Sequence, residues 1–161
     1  MKTDPTTAAA ALAAAQADLD VGRLQSALTA ARALAAGDAP ATVQIEALRL
    51  QAQAAFHLGE QGETIAAVQA LCERLGGGGL AYPSRSALLA ISAVACGELA
   101  RFDESLAHLQ QMLSVAARGG SFEGYVRARS TAATCFALLG DPWAGQRLLS
   151  ELLGLFQGLP S

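Results

Sequence analysis

Along most of this chain apolar residues recur three and four positions apart, the spacing that lines one face of an α-helix, and short breaks of Gly, Asp and Pro interrupt the pattern. The stretch "LLGDPWAGQRLLSELL" (138–153) displays the unit: an apolar run, a break at Gly140-Asp141-Pro142, then a second apolar run. Gly140 is suited to close one helix, Asp141 to cap the next, and Pro142 to fill a first helical position, where a missing N–H costs nothing. Similar breaks occur at "DLDVGRLQSAL" (18–28), "HLGEQGETIAAV" (57–68) and "CGELARFDESL" (96–106). Eight helices follow, predicted at 5–19, 23–36, 40–58, 62–75, 84–98, 103–117, 121–139 and 142–157.

The four breaks align on Gly22, Gly62, Ala100 and Gly140, at intervals of 40, 38 and 40 residues. Seven positions before each stands Ala15, Ala55, Ala93 or Ala133, and five positions after stands Ala27, Ala67, Ser105 or Gly145. Apolar or small residues Ala31, Leu71, Leu109 and Leu149 come four positions later still. Two small residues twelve apart, one on each side of a turn, sit where two helices cross; larger side chains there would hold the backbones apart. The expected fold class is all-α, a single domain over 1–161.

Composition agrees. The 161 residues are 52% hydrophobic and 16% charged, far from a disordered chain, and the 37 alanines against 5% aromatics require close packing on small side chains. The net charge of -3 argues against non-specific nucleic-acid binding, and no apolar run reaches the eighteen or so residues of a membrane span. At the start, Asp4 and Pro5 interrupt the positive region a signal peptide would need, which argues against export. Cys72, Cys96 and Cys135 are odd in number and lack a C-x-x-C pair, so no disulfide framework or zinc site is expected; small core residues in a reducing cytoplasm are.

This small-turn-small pattern resembles the tetratricopeptide repeat (TPR), a helix-turn-helix unit of about 34 residues. The resemblance covers nearly the whole chain in four copies, approximately 5–38, 40–78, 83–118 and 121–158. It implies an α-solenoid of about four antiparallel helix pairs, a right-handed superhelix. The chain departs from the family in two ways. The large aromatic early in each first helix is replaced by Ala11, Gln51, Leu89 and Arg129, and the period is longer by four to six residues. The extra length falls at "AAGDAPATV" (35–43), "RLGGGGLAYPSR" (74–85) and "ARGGSFEGY" (117–125), as in the divergent arrays of bacterial signalling proteins such as diguanylate cyclases.

Chemistry-bearing constellations are few. Gly76–Gly79 lacks both a preceding strand and the Gly-Lys-Ser/Thr ending of a phosphate loop, so it reads as a connector, hinge or spacer, with Ser84 as the next cap. His57 and His108 lie on different helices; Glu60 shares a face with His57, but no third ligand follows. Asp38, Asp103 and Asp141 are assigned to caps, and Glu46, Glu73 and Glu151 to solvated faces. No catalytic residues, metal or cofactor are expected.

Binding is what remains. By resemblance, the groove is lined by the first helix of each pair. The family's groove positions fall on Arg49 and Arg127 in the second and fourth repeats, then on Gln16, Phe56, Val94 and Thr134, with Gln53 and Thr131 between. Two guanidinium groups facing one concavity would hold a carboxylate or an acidic peptide; the alternative is that each makes a surface ion pair. The chain has no asparagine, which disfavours the family's chaperone-tail clamp. The resemblance implies the sensory or regulatory module of a bacterial signalling protein, either a diguanylate cyclase or a transcriptional regulator. A second reading is a free-standing adaptor or secretion chaperone holding an extended client peptide. Under either, the partner is a protein, peptide or small ligand, and "LLSELLGLF" (148–156) is expected to pair with a second copy.

Overall fold

The computed structural model describes residues 4–75, 84–118 and 122–157, apart from the side chains of Ser84 and Phe156. They form eight helices and no strand: α1 (Pro5–Asp20), α2 (Leu24–Ala36), α3 (Ala41–Leu58), α4 (Gln61–Arg74), α5 (Ser84–Glu98), α6 (Phe102–Arg118), α7 (Phe122–Leu138) and α8 (Pro142–Gln157). Gly76–Gly79 lies outside the described residues, and so does any cap made by the Ser84 side chain. None of these helices is long and apolar enough to cross a membrane. The chain gathers into two compact units, Met1–Gly79 and Leu80–Ser161.

The turns inside the helix pairs are built alike. In each, one residue adopts a left-handed backbone, Gly22 (φ 78°), Gly59 (φ 76°), Ala100 (φ 57°) or Gly140 (φ 86°). The amide of the next residue then donates to the carbonyl four positions before the left-handed residue: Arg23 to Asp18, Glu60 to Ala55, Arg101 to Cys96 and Asp141 to Phe136, at 2.8–2.9 Å. The left-handed residue itself donates to the carbonyl three before it. These two bonds satisfy the last carbonyls of the first helix and turn the chain into the second. Three of the four left-handed residues are glycine, which adopts this conformation freely, whereas Ala100 does so at a steric cost.

The second turn departs from the sequence reading. The left-handed residue is Gly59, and Gly62 is already inside α4. Measured from Gly59, the cross-turn pair of that repeat is Ala52 and Thr64, both fully buried, rather than Ala55 and Ala67, which are buried one helical turn further along. The intervals between turns become 37, 41 and 40 residues.

Caps also differ from expectation. Asp141 does cap α8, accepting the Ala144 amide at 3.0 Å, and Asp4 caps α1 through Thr7. The N-cap of α3 is Pro40 rather than Asp38, and Asp103 lies within the first turn of α6.

In unit 1, α1 packs on α2 and α3, α2 on α3, and α3 on α4. Ala15, Ala31 and Leu50 form one core cluster; Ala27, Leu28, Ala54 and Ala55 form another. Ile65, Ala67, Val68 and Leu71 bury the inner face of α4.

Unit 2 repeats the scheme, with α5 on α6 and α7, α6 on α7, and α7 on α8. Its core joins Leu89, Ala90, Ala93, Leu109, Met112, Ala116, Ala128, Ala132 and Cys135. Here the twelve-residue spacing is seen directly. Ser105 Oγ donates to the Ala93 carbonyl at 2.7 Å, and a Cβ on Gly145 would lie 2.6 Å from the Ala133 carbonyl.

Candidate functional site

In unit 1 the surface shared by α1 and α3 is a closed polar network. The Arg49 guanidinium donates to Glu46 (2.7 Å), Gln53 (2.8 Å) and, across to α1, Gln16 (2.8 Å); the Gln16 amide in turn donates to Asp20 at 2.7 Å. Each guanidinium nitrogen of Arg49 therefore already has an acceptor. A second network links three helices: Arg32 of α2 pairs with Glu60 (2.8 Å) and with Glu63, to which Gln51 of α3 also donates at 2.9 Å. Hydrogen bonding to Arg32 holds the Glu63 carboxyl below its ordinary range.

In unit 2 Arg127 pairs with Glu123 on its own helix at 2.7 Å, and both side chains are largely exposed. The Thr131 and Thr134 hydroxyls donate back to the carbonyls of Arg127 and Ser130, so they serve their own helix. Val94 is half-buried against the core.

The register of the second turn also revises which positions correspond. Counted from the left-handed residues, Gln16, Gln53, Val94 and Thr134 occupy one position, six residues before each. Phe56 leaves that set; it is half-buried and meets the exposed His57 edge-on at 5.8 Å. Arg127 corresponds to Glu46, and Arg49 to Ser130, so the two arginines are not equivalent. They lie in different units, each with its own carboxylate partner.

A contact between α5 and α6 also escaped the sequence reading. Cys96 Sγ lies 3.9 Å from His108 Nδ1, between α5 and α6. The signal was present, since the two are twelve residues apart, like Ala93 and Ser105. Burial pushes the Cys96 thiol up and the His108 imidazole down, so both favour their neutral forms. A protonated, fully buried thiol is a poor nucleophile, and the pair reads as packing. Cys135 is likewise buried with its thiol pushed up by burial. Among the described residues no three His, Cys, Asp or Glu side chains are grouped to hold a metal ion.

Unit 2 carries an apolar opening in its surface. A cleft of about 370 Å³ opens between the C-terminal ends of α5 and α7 and the first turn of α6, lined by Val94, Gly97, Glu98, Phe102, Leu138, Leu139 and Gly140. Gly97 makes it possible: the Leu139 side chain occupies the space a Cβ there would need. Phe102 and Leu138 are 53% and 68% exposed, and Leu99 beside them 46%.

A second depression, lined by Trp143, Gln146, Arg147, Ser150 and Glu151, is carried by α8 alone and is the outer surface of one helix. Of "LLSELLGLF", Leu149, Leu153 and Leu155 are exposed while Leu152 is buried. No protein-family model matches the chain, and comparison with curated proteins and with solved structures finds no significant match.

Proposed function

We propose that the chain is a non-catalytic binding scaffold, a TPR-like right-handed solenoid of four antiparallel helix pairs, acting as the sensory or regulatory module of a bacterial signalling protein. The observation that carries this reading is the recurrence of one turn. Four times, at intervals of 37, 41 and 40 residues, the same two backbone bonds close around a left-handed residue. A unit repeated at this interval buries its small-residue face against its neighbours and leaves the other face for a partner. The reactive side chains fit a binding role better than a catalytic one, since Cys96, Cys135 and His108 are all biased toward neutral, buried forms.

The test is a pull-down with the intact gene product, repeated with Arg49→Ala and Arg127→Ala combined. A partner held by the parent and lost from the double variant supports the groove. A partner retained in full by that variant removes these arginines from the site, and a chain that retains none counts against the scaffold.

A further inference from the structure

The cleft of unit 2 is apolar inside and acidic outside. Val94, Phe102, Leu138 and Leu139 supply the apolar lining. Glu98 stands in the lining, Asp103 and Glu104 follow Phe102, Asp141 follows Gly140, and all four are exposed. Arg101, next to Phe102 in sequence, is engaged by Glu104 at 2.7 Å. The segments that line the cleft, 97–104 and 138–141, hold four carboxylates and one guanidinium, a formal charge of -3.

We propose that this cleft docks a basic amphipathic helix of another protein, one apolar side chain entering between Phe102, Leu138 and Leu139 while flanking Lys or Arg side chains meet Glu98, Asp103 and Asp141. This deepens the scaffold reading, on which it rests, by naming the partner's chemistry. Three observations favour that occupant. At about 370 Å³ the cleft is near the lower end of ligand pockets, about 300–1,000 Å³, which suits an anchoring side chain better than a whole small molecule. Its apolar floor continues into the exposed Leu99, an area that helix anchors spaced three and four apart would cover. The rim charge repels an acidic segment and steers a basic one. The exposed face of α8, which a second copy would present, carries Arg147 and Glu151 together and so is mixed in charge rather than basic.

Fluorescence anisotropy with the full chain tests this, using a labelled eighteen-residue helix of Leu and Lys in amphipathic register and its Leu and Glu counterpart. The Lys peptide should bind, with affinity falling as salt rises, and the Glu peptide should not. Phe102→Asp, at an exposed position where folding should stay intact when checked by circular dichroism, should weaken binding at least tenfold. Glu98→Gln with Asp103→Asn should weaken it several-fold and flatten the salt dependence. Leu153→Asp on α8 should leave it unchanged.

Equal binding of both peptides, or full binding by Phe102→Asp, overturns the proposal. So does a dimer in sedimentation that Phe102→Asp abolishes while the Lys peptide fails to bind, because the cleft's occupant is then a second copy. A pull-down partner that lacks a basic helix and is retained by Phe102→Asp overturns the cleft assignment while leaving the scaffold standing.

Discussion

In unit 1 Val21 is the large apolar side chain left strongly exposed among the described residues; unit 2 exposes nine, including Leu99, Phe102, Leu138 and Trp143. The polar side chains divide the other way. Unit 1 ties helix to helix through Arg32 with Glu60 and Glu63, Arg49 with Gln16, and Arg74 with Gln44. In unit 2 Arg101 and Arg127 pair with carboxylates three and four residues away in sequence, and Arg129 of α7 pairs with Glu151 of α8. The same helical plan can therefore seal its surface with hydrogen-bonded polar groups or leave apolar surface uncovered. Surface of the kind that marks interaction sites lies in unit 2.

The interiors should not differ in this way, and the largest substitution effects test that. Leu50→Ala in unit 1 and Leu109→Ala in unit 2 each remove a fully buried side chain and should each cost roughly 2–5 kcal/mol in urea unfolding. A loss well under that range in either unit would mean its core is loosely packed.

The helix crossing comes next. Gly145→Val forces side-chain atoms against the Ala133 carbonyl and should cost roughly 1–3 kcal/mol. Ala133→Leu, from the other side of the same crossing, should fall in the same range.

In unit 1 the two glycines of the second turn should behave oppositely. Gly59→Ala places a side chain at φ 76° and should cost about 1–2 kcal/mol. Gly62→Ala meets open space inside α4 and should be neutral, or stabilising by a few tenths of a kcal/mol. Equal losses at both would return the turn to Gly62.

Smaller again is the pH response. His108 is held below its ordinary 6.5 by burial, with Glu104 opposing and Arg101 assisting. The fold favours the neutral ring, so this contribution is complete above about pH 6.5 and is lost as pH falls through the lower folded value. In unit 1, Glu63 is held low by Arg32, so its contribution persists above the ordinary 4.5 and fades only in stronger acid. Urea midpoints at pH 7.5 and 5.5 should therefore fall for the parent chain and fall less for His108→Gln.

Least affected should be stability on polarising the exposed face of unit 2. Leu99→Gln with Trp143→Gln should change unfolding by no more than about 0.5 kcal/mol. The same pair should reduce binding of an apolar dye, and unchanged dye binding would place the uncovered surface elsewhere.

Helix positions were legible because they depend on local pattern; all eight expected starts fall within one residue of the observed ones. The second turn was misplaced because Gly59 and Gly62 both suit a helix end, and only the chain's path decides which takes the left-handed conformation. That three-residue shift carried Phe56 out of the groove set and undid the match between Arg49 and Arg127. The Arg49–Gln16 bond joins residues 33 apart, and the cleft depends on Leu139 lying over Gly97. Neither follows from spacing within one repeat.

The third turn is the one corner of the four folded around a side chain the backbone would rather not accommodate. Its glycine counterparts carry no steric cost in this conformation, whereas Ala100 sheds one when its corner opens. The steric cost at Ala100 therefore favours opening of this corner, beside the exposed Leu99 and Phe102, in a way that the corner at Gly140 lacks.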